Sequence, residues 1–497
     1  MNLPQAFGEL KKSAFTEERL RTRRVKDEMR DNLIARLRSG EPIFPGIVGY
    51  EDTVVPQITN ALLSRHNFIL LGLRGQAKSR ILRALTSLLD PNLPYVAGCE
   101  IHDNPYAPLC QRCRNLLKEK GDATPVAWLT PEQRYVEKLA TPDVTVADLI
   151  GDIDPIKAAR GVHELGSELT MHYGLLPRAN RGIFAINELP DLAGKIQVAL
   201  FNIMQEGDVQ IKGYPVRLPL DVSLIFSVNP EDYTARGKIV TPLKDRIGSE
   251  IRTHYPATLQ EGIAITSQEA WTRRDGLALH IPKYIGEIIE QIAFCAREDK
   301  RVDKRSGVSQ RLPISCMENV ISNAERRAVR NREETIVPRI ADIYAALPSI
   351  TGKLELEYEG ELRGADTVSR ELIRSAIAKI YDEYFKELNT QQITQWFDLG
   401  GEIKVSETAP ASEVLSMVRN IQGLTEKLSS AGVKSKDKPE VIVSAAEFLL
   451  EGLHAHKRIG RSEERGFIAQ EKQARRPEKS FEREDVPVRG GGRRPYN

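Results

Sequence analysis

Eight consecutive residues, Gly72-Leu-Arg-Gly-Gln-Ala-Lys78-Ser79, carry the most specific chemistry in the chain. Their spacing is close to G-x-x-x-x-G-K-[ST], a loop whose backbone N–H groups wrap phosphates. In such a loop the lysine reaches the β and γ oxygens and the hydroxyl holds Mg²⁺. Gly72 and Gly75 supply small positions. Ala77 stands where the pattern asks for its second glycine, and it is strained if its φ is positive. A strand–turn–helix with an incidental Lys-Ser pair is the plainer alternative.

A second candidate group is Gly182-Ile-Phe-Ala-Ile-Asn187-Glu188, an apolar run ending in a polar pair. In P-loop ATPases the first acidic position there organises Mg²⁺ and the following glutamate orients the attacking water. Asn187 keeps an amide oxygen for a metal-bound water but carries no charge. Weaker metal binding is therefore expected, with Glu188 retained as the base. A strand that merely ends in polar residues would look the same. A third run, Val222–Val228, ends in Asn229-Pro230, and a polar residue at such an end can help place water near a γ-phosphate. Arg246 in LKDRIG and Arg311 in GVSQR gain meaning only with the rest of the set, since a lone arginine is usually solvated.

Cys99-Glu-Ile-His102 and Cys110-Gln-Arg-Cys113 form C-x₂-H-x₇-C-x₂-C. Three thiolates and an imidazole in two tight pairs can close a tetrahedral Zn²⁺ site. Small buried cysteines, or a redox pair of Cys110 and Cys113, are the other two readings. Cys295 and Cys316 fall in helical text and are expected in the core.

These residues need elements to hold them. Phe68–Gly72, Ile183–Ile186 and Val222–Val228 are short apolar runs bounded by polar residues and glycine, the pattern of buried strands. Ser79–Leu89 carries a helical stripe that Asp90-Pro91 ends. Strands separated by helical patterns predict an α/β fold with a parallel sheet flanked by helices. Val209–Leu218 alternates around Gly213 as a hairpin. Helix is expected across Glu17–Leu37, and from about Leu259 onward the text is mostly helical. The expected organisation is an N-terminal helical segment (1–41), a nucleotide-binding core (42–257), a helical lid (258–350), a C-terminal helical region (351–458) and a disordered tail (459–497). The tail is rich in Arg, Glu, Gly and Pro, too polar to offset chain entropy. Its basic residues are interleaved with glutamates, which suits a solvated tail better than a contact with nucleic acid or a partner.

Composition bounds the rest. The 497 residues allow about three domains. With 71 Lys+Arg against 69 Asp+Glu, global charge selects neither nucleic acid nor an anionic membrane. No apolar run approaches the roughly 18 residues of a membrane span, and the N-terminus shows no secretory signal. Five cysteines without an even, regular spacing argue against a disulfide scaffold. A cytoplasmic location is expected.

Taken in order, the segments resemble an AAA+ ATPase module of the helix-2-insert clade, which holds the magnesium chelatase ATPase subunit I and the MoxR-type ATPases. The resemblance is carried by FPGIVG, by GLRGQAKS as Walker A, and by AGCEIHDNP after it. It continues through TVADLIGDIDPIKA at the helix-2 insert and GLLPRANRGIFAINELPDL leading into Walker B. VSLIFSVNPED matches the sensor 1 strand and TPLKDRIG the arginine-finger segment, so about residues 42–325 are covered. The resemblance implies a P-loop core with a helical lid, and ATP and Mg²⁺ as cofactors. It places Lys78 and Ser79 on phosphate and metal, Asn187 and Glu188 at Walker B, and Asn229 at sensor 1. Arg246 becomes the arginine finger acting on nucleotide in the adjacent subunit, and Arg311 the sensor 2 residue. It further implies a homo-hexameric ring, a von Willebrand A domain partner and a protein client. The expected function is a slow ATP-hydrolysing ring motor that remodels a protein or assists metal insertion. A genuine magnesium chelatase subunit in tetrapyrrole synthesis, and a nucleotide-gated scaffold with negligible turnover, are the alternatives.

Overall fold

The computed structural model describes residues 3–154, 156, 168–211, 217–230, 237–462 and 466–470. Five strands form one parallel sheet: β1 (Phe68–Leu71), β2 (Tyr135–Leu139), β3 (Gly182–Asn187), β4 (Val222–Val228) and β5 (Ser249–Arg252), in the order β5-β1-β4-β3-β2. The three expected runs are its central strands, and β3 is buried along its whole length. Alternate side chains go to opposite faces. Ile69, Phe184 and Phe226 join one apolar cluster, while Phe68, Ile183 and Ile225 join another. Two covered faces are why these strands are apolar throughout instead of alternating.

The helices that matter for the site are α1 (Val25–Ser39), α2 (Val54–Leu63), α3 (Lys78–Ala84), α4 (Gln111–Lys120), α5 (Thr241–Arg246), α6 (Leu259–Glu269), α7 (Lys283–Glu298), α8 (Arg311–Asn331), α9 (Ala365–Phe385) and α10 (Pro439–Ala455). Val25, Met29 and Leu33 of α1, Ile58 of α2 and Ile81 of α3 cover one face of the sheet. Helices α7 to α10 share a separate apolar core, in which Cys295 and Cys316 are buried as expected. Among the described residues no helix is long and apolar enough to cross a membrane.

Several local expectations shift. The helix expected over Glu17–Leu37 is two helices, Glu17–Thr22 and α1. The stripe Ser79–Leu89 is helical only to Ala84 and tightens into a 3₁₀ turn at Leu85–Leu88. The hairpin forms as Asp208–Gln210 paired with Arg217–Pro219, while its tip, 212–216, lies outside the described residues. So do 155, 157 and 158 of the segment read as the helix-2 insert, together with 159–167 after it. Part of the tail expected to be disordered is ordered: Gly460–Ser462 pairs antiparallel with Gly466–Ile468. The anchor is Phe467, which is buried and exchanges backbone hydrogen bonds with Ile403 at 2.9 and 3.1 Å. Residues 471–497 of the tail lie outside the described residues.

Helix α1 is fixed to the sheet by a buried ion pair. Arg134, immediately before β2, donates to both carboxylate oxygens of Glu28 at 2.6 and 2.7 Å, and through Nε to the Arg181 carbonyl at 2.8 Å.

Candidate functional site

All five strands run the same way, so their carboxyl ends share one edge, where ligands of open α/β sheets bind. The phosphate-type loop leaves β1 there and enters α3 at Lys78. Ala77 sits at φ 55°, the left-handed region that the glycine of the pattern would take without strain. Gly75 is at φ +72°, and a Cβ on it would lie 2.0 Å from Ser309 Oγ. The segment ahead of α8 therefore closes directly on the loop. A Cβ on Gly72 would lie 1.9 Å from Thr253 Oγ1, so backbone and β5 flank approach as closely as glycine permits.

Lys78 is buried, and its Nζ donates to the Gly72 carbonyl, to the Leu73 carbonyl at 2.9 Å and to Asn229 Oδ1 at 2.6 Å. Asn229 follows β4, and Glu188 follows β3 at φ 56° with its N–H 3.4 Å from Ser227 Oγ. Asn187 points back into the sheet: its Oδ1 accepts from Ser227 Oγ at 2.9 Å and its Nδ2 donates to Glu137 of β2. Sequence reasoning missed Glu137, which also accepts from Arg83 Nε at 2.9 Å.

A cleft of about 330 Å³ opens over this edge. Its lining includes the apolar Ile47, Val48, Pro256, Ile265 and Ile314 and the polar Lys78, Ser79, Glu188, Asn229 and Arg311. Gly75 and Ala77 also line the cleft, Gly72 lies just beneath it, and Asn187 is one residue behind Glu188. Tyr50 Oη lies 3.0 Å from the Gln76 carbonyl and 2.7 Å from that of His254, tying the FPGIVG segment to the loop. Burial pushes the Tyr50 hydroxyl above its ordinary value, so it stays a donor. At the mouth Arg80 pairs with Glu269 of α6 and holds that carboxyl below its usual range. Arg74 of the loop pairs with Glu355 at 2.5 Å, joining the loop to the helical region. Arg246 stands apart from this cleft. Its guanidinium donates to Gln205 Oε1 at 2.7 and 3.2 Å and to the Pro242 carbonyl, and lies 5.1 Å over the Phe201 ring.

The cysteine motif gathers elsewhere, between the strand Leu93–Val96 and α4, and with a different fourth member. Ligand atoms of Cys99, Asp103, Cys110 and Cys113 lie within 4.8 Å of one another, and all four residues are buried. His102 is not among them, which corrects the expected ligand set. It sits at φ 53°, and its ring meets Tyr95 edge-on at 5.5 Å. That left-handed residue reverses the chain, so the next side chain, Asp103, turns toward the sulfurs. Burial, with Arg181 and Arg134 nearby, holds the His102 imidazole down to about 4.

The sheet order, the loop after β1, Glu188 after β3 and Asn229 after β4 give the chain a P-loop α/β core of the AAA+ type. In sequence the chain is similar to the magnesium chelatase ATPase subunit. It is 30% identical over 237 residues to the magnesium-chelatase 38 kDa subunit of Cereibacter sphaeroides, an alignment covering 47% of this chain and 63% of that subunit. It is 29% identical over 241 residues to the corresponding subunit of Rhodobacter capsulatus, covering 47% and 61%. The chain thus spans about three fifths of the length of these curated relatives. Among solved structures, a BchI–BchD magnesium chelatase complex aligns at 22% identity over 64% of this chain and 98% of that one, with a TM-score of 0.34. NtrX of Brucella abortus aligns at 14% identity over 77% and 72%, with a TM-score of 0.37. No family model matches the chain.

Proposed function

We propose that the chain binds ATP with Mg²⁺ in the cleft and hydrolyses it slowly, as the motor of a ring. The observation that carries this reading is the Lys78–Asn229 hydrogen bond of 2.6 Å, in a cleft that Glu188 and Arg311 also line. Lys78 would exchange its carbonyl partners for β and γ oxygens, and Asn229, released from it, would orient water. Glu188 would accept the proton of that water, and Arg311 would steady the phosphates from the lid. Ser79 and Glu188 offer oxygen donors suited to a hard cation, whose chemistry is to neutralise charge on the phosphates.

Arg246, apart from its own cleft, would act on nucleotide held by an adjacent copy, which makes the complete site a property of a homo-hexamer. Residues 42–257 would be the nucleotide core, 258–350 the lid and 351–458 an added helical region. A cytoplasmic setting, a von Willebrand A domain partner and remodelling or metal insertion on a client complete the proposal. A nucleotide-gated scaffold with negligible turnover is the second reading, favoured by Ala77 at φ 55° and by the uncharged Asn187.

Titration with a labelled ATP analogue, followed by phosphate release, tests this. Saturable uptake should vanish in Lys78→Ala and persist in Glu188→Gln, which should release no phosphate. Equal release by wild type and Glu188→Gln refutes the catalytic assignment, and undiminished uptake by Lys78→Ala refutes the site. Wild-type uptake without release selects the scaffold.

A further inference from the structure

We propose that Cys99, Asp103, Cys110 and Cys113 form a tetrahedral site for a single Zn²⁺, separate from the nucleotide cleft. Thiolates about 2.3 Å from a tetrahedral ion stand about 3.8 Å from each other. Cys99 Sγ and Cys110 Sγ are 3.9 Å apart, and all four ligand atoms fall within 4.8 Å. A cluster of several irons would spread its ligands further, so the geometry selects one ion. Three soft sulfurs with one hard oxygen suit the borderline Zn²⁺ better than a hard cation such as Mg²⁺ or Ca²⁺.

Asp103 separates this reading from three cysteines that merely fill space. It is fully buried, and its Oδ2 accepts the Cys110 N–H at 2.9 Å. Its Oδ1, also buried, has no hydrogen-bond partner among the described residues. A buried carboxylate oxygen left so is costly, and a cation beside the sulfurs removes the cost. One oxygen on the metal and the other on a backbone N–H is how a ligating carboxylate is commonly oriented. The sulfurs are prepared likewise: Cys99 Sγ accepts the Asp103 N–H at 3.4 Å and Cys110 Sγ the Cys113 N–H at 3.3 Å.

The ion would be structural. Its loop is held to the segment before β3, since Asn180 Nδ2 donates to the Ile101 carbonyl at 2.9 Å and Arg181 Nη1 to that of His102 at 3.4 Å. Binding would displace the thiol protons, fix this loop and thereby brace the entry to β3.

Elemental analysis of the full chain, purified without added metal or chelator, should find one zinc per chain. Cys110→Ser and Cys113→Ser should lose it, and His102→Ala should keep it. Should the cysteine variants fail to fold, the wild type still decides: stripped of metal and given Co²⁺, it should show the intense visible bands of tetrahedral cobalt and a thiolate charge-transfer band. Asp103→Asn should weaken Co²⁺ binding at least about tenfold, in line with loss of a metal-orienting group. A chain that carries no zinc and gives no cobalt spectrum overturns the proposal, as does a Cys99–Cys110 disulfide in protein kept free of oxidant. Loss of zinc in His102→Ala with retention in Asp103→Ala overturns the ligand set. Lys78→Ala should keep its zinc, so failure of the nucleotide site leaves this result independent.

Discussion

Glu137 on β2 accepts a hydrogen bond from the carboxamide of Asn187 on β3, while the other side of that amide is held by Ser227 of β4. Three adjacent strands thus meet at Asn187, the position proposed for the Walker B aspartate. The carboxylate missing at Asn187 is present one strand away, in Glu137. An aspartate at 187 would face it, and two carboxylates at hydrogen-bond distance cannot both ionise cheaply.

Asn187→Asp alone should therefore destabilise the fold at neutral pH, by about 1 to 2 kcal/mol, the equivalent of roughly one pKa unit in one member of the pair. Glu137→Gln combined with Asn187→Asp should recover the loss and raise phosphate release at limiting Mg²⁺. Urea unfolding of the four proteins as a double-mutant cycle measures the coupling. A cycle with no coupling would show that Glu137 does not oppose a charge at 187.

Ala77→Gly should be tolerated, against the usual cost of inserting glycine. The left-handed conformation costs an L-residue about 1–2 kcal/mol, and the entropy glycine adds to the unfolded chain offsets roughly 0.5–1 kcal/mol of that relief. Thermal unfolding should place the variant within about 1 kcal/mol of wild type, on the stable side, with a tighter ATP-analogue Kd. Ala77→Val should fall by about 1–3 kcal/mol, because a branched residue fits that conformation worst. A glycine variant less stable than the valine one would contradict the strain argument.

The central strands were legible because burial on both faces leaves a continuous apolar run, as in Ile-Phe-Ala-Ile before Asn187. The outer strands were not. β2 is Tyr-Val-Glu-Lys-Leu and β5 is Ser-Glu-Ile-Arg, and among the described residues each has one side without a sheet neighbour, so charges interrupt the pattern. Glu137 was missed with its strand. The turn that brings Lys78 and Ser79 from β1 into α3 was legible because its glycines and the spacing of its residues mark a strand-to-helix loop. In the cysteine motif, spacing alone could not choose between His102 and Asp103, since the choice rests on one left-handed residue. The ordered start of the tail is anchored by Ile459 and Phe467, two apolar residues that are too weak a signal against their polar surroundings.

The Glu28–Arg134 pair should be a strong determinant of stability. Both side chains are almost wholly buried, at 5% and 1% exposure, so removing one partner leaves a charge in the core. Arg134→Ala should lower unfolding stability by about 3–5 kcal/mol, measured from the urea midpoint. Replacing both residues by apolar ones, Glu28→Leu with Arg134→Met, should cost much less. Equal losses in the single and double variants would contradict a desolvated pair.

Glu451 of α10 supplies a pH signature of the helical region. Burial pushes its carboxyl up to about 7 against an ordinary 4.5, although Arg461 beside it pulls the other way and Glu447 adds to the rise. A raised carboxyl binds its proton more tightly folded than unfolded. Between about 4.5 and about 7 the native state therefore holds more of that proton than the unfolded chain does. This group's contribution to stability falls as pH climbs through that window, by up to about 1.4 kcal/mol per pH unit. Glu451→Gln removes the titration, so its stability relative to wild type should grow as pH rises from the lower to the upper end of the window. Urea midpoints of both proteins across that range measure the difference, and parallel curves would show that Glu451 ionises in the native state as it does in the unfolded chain.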